Sequence, residues 1–203
     1  MKYKENSGYL WPLDVPDSAI PFSLRRVKAM EWVIENCKSR GVVVQAGGSY
    51  GVWPRKLARY FKVVYSFEPE PTSFYFLCRN CPELNIVKLE MALGDIAMFI
   101  SMNRRGDTSH TVNIDGNIIP MIPIDNLRLR SCDAILLDVE GYEYQALAGA
   151  IGTIYKYKPI ILIEDRKPEP IPAVRLVLNY GYKQVEHIQG DRIFIHEKSQ
   201  SHR

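Results

Sequence analysis

The chain is poor in the features that mark membrane, secreted and nucleic-acid-binding proteins. None of its apolar stretches approaches the ~20 residues that cross a bilayer, and its first residues, MKYKENSGYLWPLDVPD, lack the continuous apolar segment of a signal peptide. We therefore expect a cytoplasmic protein with no membrane partner. The net charge of +3 is too small to indicate a nucleic-acid partner by itself.

Cysteine is also scarce, with four residues in the chain. Cys78 and Cys81 have the CxxC spacing that zinc sites and redox centres use. A zinc site needs about four ligands, and no second CxxC or HxxxH accompanies the first. We therefore expect reduced structural thiols, and a metal or disulfide role is the less favoured alternative.

At 203 residues, 46% of them hydrophobic, the chain is long enough for one α/β domain with a full core. Apolar runs alternate with helical segments, which favours a mainly parallel, twisted sheet covered by helices on both faces. The turn at Gly190 and Asp191, between YKQVEHI and DRIFIHE, predicts a C-terminal hairpin that adds an antiparallel strand. We expect a single domain, with residues 1–40 as an N-terminal arm and helix and residues 41–203 as the core.

The pattern also predicts boundaries. Strands are expected at 42–46, 63–67, 86–90, 134–139 and 158–165, and helices at 24–37, 52–60, 72–79, 142–155 and 171–180. We expect an irregular arm over residues 1–20 that packs over the functional site, a helix cap at Ser23, and an extra strand pair or inserted loop around residues 97–123. A short helical turn is expected at 125–129.

The glycine loop QAGGSYG follows the first buried strand. Gly47, Gly48 and Gly51 have the spacing GGxxG, and the GxGxxG of dinucleotide-binding proteins is absent. Glycines let a strand-to-helix turn approach a ligand closely. Glu68 lies about 20 residues downstream at a strand end, where a carboxylate can accept hydrogen bonds from the two hydroxyls of a ribose. The combination predicts a site for a ribose-bearing cofactor.

A second acidic group lies in LLDVEGYEYQALAGA. Asp138 ends an apolar strand, which places its carboxylate at the sheet edge where open α/β folds bind ligands. Glu140 and Glu143 follow, although Glu143 at a helix start is also explained by the helix dipole.

The segments QAGGSYG, SFEPEP, ALGD, PIDNL, DVEGYEYQALAGA and IED resemble the FkbM-type methyltransferases over roughly residues 40–166. These are class I enzymes with a Rossmann-like fold that depend on S-adenosyl-L-methionine, and most of them methylate hydroxyls of sugars and natural products. The resemblance implies the following cofactor contacts: Gln45, Ala46, Gly47, Gly48, Tyr50, Gly51, Glu68, Pro69, Ala92, Leu93, Asp95 and Asp138. Among these, Glu68 is implied to bind the ribose, and Ala92, Leu93 and Asp95 to flank the adenine.

The chain departs from the family pattern at the end of the first strand. Gln45 stands where the family usually has Asp, and Gly48-Ser49 replace Ala-Asn. Glutamine can form hydrogen bonds, but it cannot supply a negative charge to the ammonium or sulfonium of the cofactor.

The resemblance implies transfer of a methyl group to a hydroxyl, and a carboxylate or histidine can remove the proton. Asp138 is the first candidate base, followed by Glu140 and Glu164. His110, in the turn GDTSH, is a further candidate, although an exposed loop histidine is the simpler interpretation. A Mg²⁺ ion held by Asp138, Glu164 and Asp165 is an alternative that we do not expect, because an ion pair from Glu164 or Asp165 to Arg166 or another basic residue is the ordinary explanation.

Other interpretations stay open at this stage. A nicotinamide-dependent dehydrogenase would use the glycine loop, but it normally has GxGxxG and a catalytic Tyr-Lys or His. An RNA-end 2′-O-methyltransferase or a non-catalytic cofactor-binding module are further alternatives. The basic segments RRVK, NRRGD and LRLR are interpreted as solvated surface, with an anionic acceptor as the alternative. A small-molecule hydroxyl acceptor, a sugar or nucleotide, is the favoured partner, and the sequence leaves the oligomeric state open.

Overall fold

The computed structural model describes residues 2–105, 109–112, 117–164 and 172–200. In chain order the strands are β1 (Tyr3–Asn6), β2 (Tyr9–Pro12), β3 (Val42–Ala46), β4 (Val63–Phe67), β5 (Ile86–Leu89), β6 (Ala92–Leu93), β7 (Met98–Arg105), β8 (Ser109–Val112), β9 (Asn117–Ile122), β10 (Ala134–Leu137), β11 (Ile160–Glu164), β12 (Tyr182–Ile188) and β13 (Asp191–His196). The α-helices are α1 (Ala19–Arg25), α2 (Lys28–Asn36), α3 (Val52–Leu57), α4 (Pro71–Asn80), α5 (Glu143–Ala148), α6 (Ile151–Tyr157) and α7 (Pro172–Asn179). Short 3₁₀ helices cover Ile124–Leu127 and Glu197–Gln200.

The central sheet has seven described strands in the order β5, β4, β3, β10, β11, β13 and β12. Strands β5, β4, β3, β10 and β11 run parallel to one another. Strand β13 lies antiparallel between β11 and β12. The predicted α/β class, with a mainly parallel sheet and a C-terminal antiparallel strand, is confirmed.

Both faces of the sheet are covered, which explains why its central strands are continuous apolar runs. Successive residues of a strand point to opposite faces, and β10 divides accordingly. Ile135 and Leu137 belong to one buried cluster, which includes residues of α5 and α7. Ala134 and Leu136 belong to the other, which includes residues of α2 and α3.

The secondary structure of the N-terminal segment differs from the prediction. The expected irregular arm is a β1–β2 hairpin followed by α1. The single helix expected at 24–37 is two helices, α1 and α2, because the backbone leaves the helical conformation at Arg26. Ser23 therefore lies inside α1 and caps nothing; its hydroxyl donates to the Ala19 carbonyl at 3.3 Å.

The insertion before β10 forms a second sheet in the order β6, β9, β7 and β8. Strands β7 and β9 are the antiparallel pair that the sequence suggested. One face of this sheet buries Ile100, Ile119 and Met121 beside Ala92. Tyr142, in the loop after β10, packs against this cluster, and Ile100 and Met102 line the same cavity as Gly47 and Gly48.

The helix expected at 142–155 is also two helices, α5 and α6. The chain bends at Gly149, where an added Cβ would lie 2.0 Å from the carbonyl oxygen of Gly94. The Asp125 carboxylate then accepts hydrogen bonds from the backbone N–H groups of Gly152 and Thr153, both at 2.8 Å. Asp125, from the segment PIDNL, thus caps α6 from outside the helix.

Among the described residues, no helix combines the length and the apolar character that a membrane crossing requires.

Candidate functional site

A cavity of about 650 Å³ opens at the carboxyl ends of β3, β4 and β10. Its floor includes the glycine loop, Phe67 and Glu68, and the segment from Asp138 to Tyr142. The insertion contributes Ile100 and Met102. Parallel strands place their carboxyl ends at one edge of a sheet, so residues distant in sequence meet there.

The glycine loop is held directly against the neighbouring strands. The backbone N–H groups of Gly47 and Gly48 both donate to the carbonyl of Phe67, at 3.0 and 2.9 Å. Gly47 has φ +82°, and an added Cβ would lie 1.9 Å from the carbonyl oxygen of Asp138. Only glycine therefore lets this loop approach the end of β10 so closely.

Glu68 is almost fully buried, with 4% of its surface exposed. Its Oε2 accepts a hydrogen bond from the Ser49 N–H at 2.7 Å, and its Oε1 accepts one from the Glu70 N–H at 2.9 Å. Burial raises the pKa of Glu68 to about 7, although these two hydrogen bonds favour the charged form. Each carboxylate oxygen keeps a further lone pair, so the group can accept two more hydrogen bonds, as a ribose diol would offer.

A second acidic group lies across the cavity. Carboxylate oxygens of Asp138, Glu140 and Glu164 lie within 4.8 Å of one another. Burial, followed by the neighbouring Glu164, raises the pKa of Asp138 well above its ordinary value, and the positive charge of Arg26 opposes the shift. A carboxylate with a raised pKa is a stronger base near neutral pH.

Arg26 forms ion pairs within this group. Its Nη1 lies 3.1 Å from Oε1 of Glu164 and 3.5 Å from Oδ2 of Asp138, and its Nη2 lies 2.9 Å from Oδ1 of Asp191. The sequence interpretation of RRVK as solvated surface is therefore wrong for Arg26, whose side chain is 11% exposed. The chain bend between α1 and α2 turns it inward.

The three acids offer the oxygen ligands that Mg²⁺ prefers, but the guanidinium of Arg26 already contacts two of them. The fit to a divalent ion is therefore poor. Asp165, the third predicted metal ligand, and Arg166, its expected ion-pair partner, lie outside the described residues.

The loop after Asp138 has an unusual backbone. Glu140 has φ +53° and Gly141 has φ +102°, a region that non-glycine residues seldom occupy. The buried carboxylate of Glu143 stabilises the loop by accepting hydrogen bonds from the N–H groups of Val139 and Gly141, at 3.3 and 3.1 Å. The loop presents Glu140 at the edge of the cavity.

Most of the predicted site residues line this one cavity. They are Ala46, Gly47, Gly48, Tyr50, Glu68, Pro69, Ala92, Leu93, Asp138 and Glu140. Their geometry is compatible with the implied contacts, and their individual roles stay predictions.

Several predicted residues lie elsewhere. Gln45 is fully buried, because its place on β3 directs its side chain into a face of the sheet, and its Oε1 accepts from the Ser66 hydroxyl at 2.9 Å. Gly51 faces α4, where an added Cβ would lie 2.6 Å from Sγ of Cys81. Asp95 is exposed and Glu164 lies behind Asp138; neither lines the cavity. The backbone of His110 pairs with Arg104 in the β7–β8 ladder, but its side chain lies outside the described part.

The sequence analysis anticipated that the N-terminal arm packs over the site, but it missed Phe22 and Arg26, which follow the arm. Trp11, Phe22 and Arg26 line the cavity, and the ring of Trp11 packs at 5.4 Å, edge to face, on that of Tyr50 in the glycine loop. The apolar YLW of the arm was the available signal, since a fully buried tryptophan needs a partner surface. Trp53 and Tyr142 also line the cavity, whereas Tyr144 and Tyr155 are exposed.

Several solved structures have a similar arrangement of strands and helices. The FkbM methyltransferase from Methylobacillus flagellatus KT has a TM-score of 0.58 and 20% identity, over 76% of this chain and 43% of its own length. Precorrin-6y C5,15-methyltransferase from Geobacter metallireducens GS-15 has a TM-score of 0.52 and 10% identity, over 81% of this chain and 84% of its own.

A third similar structure is precorrin 8W decarboxylase from Methanobacterium thermoautotrophicum, with a TM-score of 0.52 and 13% identity over 95% of each chain. These similarities show that the chain has the class I methyltransferase fold. A comparison with curated proteins finds no match.

A family model for the methyltransferase FkbM domain matches residues 45–184. The match spans more than half of the chain, so the chain belongs to the FkbM methyltransferase family. The predicted family and fold are confirmed, and the family does not support the dehydrogenase alternative. The chain covers 43% of the Methylobacillus protein's length.

Proposed function

We propose that the protein transfers a methyl group from S-adenosyl-L-methionine to a hydroxyl of a small molecule such as a sugar or nucleotide, in the cytoplasm. The observation that supports this is one cavity in which the glycine loop and Glu68 lie opposite Asp138. Its volume, about 650 Å³, is in the range of small-molecule and cofactor sites.

The chain's own residues fit the cofactor. The buried carboxylate of Glu68 would accept hydrogen bonds from the ribose hydroxyls. Gly47 and Gly48 let the loop lie directly against the neighbouring strands, so its backbone borders the cavity. Ala92 and Leu93 offer an apolar surface for the adenine. S-adenosyl-L-methionine supplies a methyl group on a positively charged sulfur, which a hydroxyl oxygen can attack.

Asp138 is the proposed base. Its side chain is 24% exposed, whereas that of Glu164 is 6% exposed, so a hydroxyl in the cavity meets Asp138 first. When bound, S-adenosyl-L-methionine would supply the methyl group and leave as the neutral thioether S-adenosylhomocysteine, because the sulfur keeps the electron pair of its bond to the methyl carbon. The Asp138 carboxylate would take the proton that the hydroxyl loses. The acceptor stays neutral, and the proton is later released to water.

The test is transfer of radiolabelled methyl groups from S-adenosyl-L-methionine to sugars, nucleotides, phenols and RNA. Replacement of Asp138 by Asn should lower kcat by about a hundredfold or more, the usual contribution of a general base. Binding of S-adenosylhomocysteine, measured by titration calorimetry, should change little. Glu35→Gln, at an exposed position on α2, is the matched control.

Several results would contradict the proposal. Cofactor binding without turnover on any acceptor would favour a non-catalytic module, and turnover on RNA alone would favour the RNA-end alternative. Transfer to nitrogen, sulfur or carbon would refute hydroxyl methylation. Full activity in Asp138→Asn would remove Asp138 as the base.

A further inference from the structure

Arg26 lies outside the part of the chain that matches the family, residues 45–184. Its backbone is held in place by the core: the Arg26 N–H donates to the Phe22 carbonyl at 3.1 Å, and its carbonyl accepts from Nε1 of Trp53 at 2.7 Å. Trp53 belongs to α3, the helix that follows the glycine loop. The position of Arg26 is therefore coupled to the cofactor side of the cavity.

The guanidinium meets acids from three neighbouring strands. Asp138 follows β10, Glu164 ends β11 and Asp191 begins β13. Glu164 and Asp191 are directly opposite in the antiparallel ladder, and both are buried, at 7% and 1% exposure. Like charges facing each other on adjacent strands are destabilising, and buried charges need a partner. The guanidinium of Arg26 is such a partner, since it lies 3.1 Å from Oε1 of Glu164 and 2.9 Å from Oδ1 of Asp191.

Asp138 is the most exposed member of this network, at 24%. Arg26 and Asp138 line the cavity, whereas Glu164 and Asp191 do not, so Asp138 is the one carboxylate of this network that borders the cavity. The oxygens of Asp138, Glu140 and Glu164 lie close enough together to share a cation, and Nη1 of Arg26 is within ion-pair distance of two of them.

We propose that Arg26 is the resident cation of this carboxylate cluster and positions Asp138 to receive the acceptor proton. The positioning role rests on the proposed methyl transfer. Arginine suits the task because its planar, permanently charged fork can hold several carboxylates at fixed angles.

The first test needs no acceptor. Manganese binding is measured by titration calorimetry and electron paramagnetic resonance on the wild-type protein, Arg26→Gln and Arg26→Lys. We expect Arg26→Gln to bind manganese. We expect no manganese binding by the wild-type protein, by Arg26→Lys or by the double variant Arg26→Gln/Glu164→Gln. Manganese bound by the wild-type protein and lost in Glu164→Gln would overturn the assignment, and so would no binding by folded Arg26→Gln.

The second test uses turnover. Arg26→Gln should lower kcat by about a hundredfold, the scale of a 1 Å misplacement, while the affinity for S-adenosylhomocysteine stays unchanged. Arg26→Lys should recover part of kcat because it keeps the charge, and it decides the test if Arg26→Gln does not fold. Arg25→Gln, exposed and adjacent, should behave as wild type.

Unchanged kcat in Arg26→Gln, or equal losses of kcat and cofactor affinity, would overturn the positioning role. A wild-type protein that methylates no acceptor would instead refute the proposed function. The manganese experiment would then still decide whether Arg26 is the cation of the cluster.

Discussion

At the scale of single residues, the ionised form of Glu68 that favours ribose binding is the form that burial disfavours in the folded protein. Its carboxylate is buried, and burial raises its pKa from the ordinary 4.5 to about 7. The folded protein thus binds this proton more tightly than the unfolded chain does. The contribution of Glu68 to stability is full below pH 4.5 and is lost as the pH rises through about 7.

This gives a prediction for cofactor affinity. The ionised carboxylate is the better acceptor for ribose hydroxyls, so affinity for S-adenosylhomocysteine should rise as the pH increases through about 7. Calorimetric titrations on either side of that pH measure the change. Glu68→Gln should bind more weakly at high pH and lose this dependence. An affinity that stays flat in wild type, or the same pH dependence in Glu68→Gln, would exclude the ribose role.

At the scale of elements, the conformation of the glycine loop depends on the strands packed against it as much as on its own turn. Gly47 and Gly8 both have positive φ, +82° and +75°. An added Cβ at Gly47 would lie 1.9 Å from the Asp138 carbonyl oxygen, whereas at Gly8 it would meet no atom within 4 Å. Alanine substitutions at these two glycines therefore separate the free-energy cost of a positive φ from the free-energy cost of steric overlap.

Gly8→Ala should lower the free energy of unfolding by about 1 kcal/mol, the cost of a left-handed alanine. Gly47→Ala should lower it by more, because β3 and β10 must also move apart, and it should weaken cofactor binding. Urea denaturation and calorimetry measure both effects. If the two variants lost equal free energy of unfolding, the loop would accommodate a Cβ at Gly47 without steric overlap, contrary to the structure.

At the scale of the whole molecule, Asn80 joins the N-terminal hairpin to the cofactor loop. Its Oδ1 accepts from the Leu10 N–H at 2.7 Å, and its Nδ2 donates to the carbonyls of Leu10 and Tyr50, at 2.9 and 2.8 Å. A single buried amide at the end of α4 therefore connects three segments. The arm is placed over the cavity by this contact and by the packing of Trp11 on Tyr50.

Asn80→Asp should lower the free energy of unfolding by about 2 kcal/mol or more, because an ionised Asp cannot donate and two carbonyls lose their donor. Cofactor affinity should fall with it, since Tyr50 lies on the loop. Asn36→Asp, at an exposed amide, should change stability by less than about 1 kcal/mol. Chemical denaturation of both variants is the measurement, and similar values would show that Asn80 does not connect the segments.

Much of the site could be predicted because its signals are local. Glycines at a strand end, an acid about 20 residues later and an apolar strand that ends in Asp138 each have a physical reason at their own position. Gln45 could not be placed, because its direction depends on strand pleating and on its bond to Ser66. Asp95 was inferred from a motif, and its exposure follows from how the turn after β6 is packed.

The sequence alone determined the class of fold, the family and many of the residues that line the cavity, because periodicity, turn chemistry and strand-end acids are properties of short segments. Only the tertiary structure decided that Arg26 lies among Asp138, Glu164 and Asp191, and that Phe22 and Arg26 join the arm in lining the cavity. The ion pairs of Arg26 join residues more than a hundred positions apart, and long-range charge pairing leaves no periodic pattern in the chain. The same packing divided two predicted helices, at Arg26 and at Gly149, where tertiary contacts outweigh local helix preference.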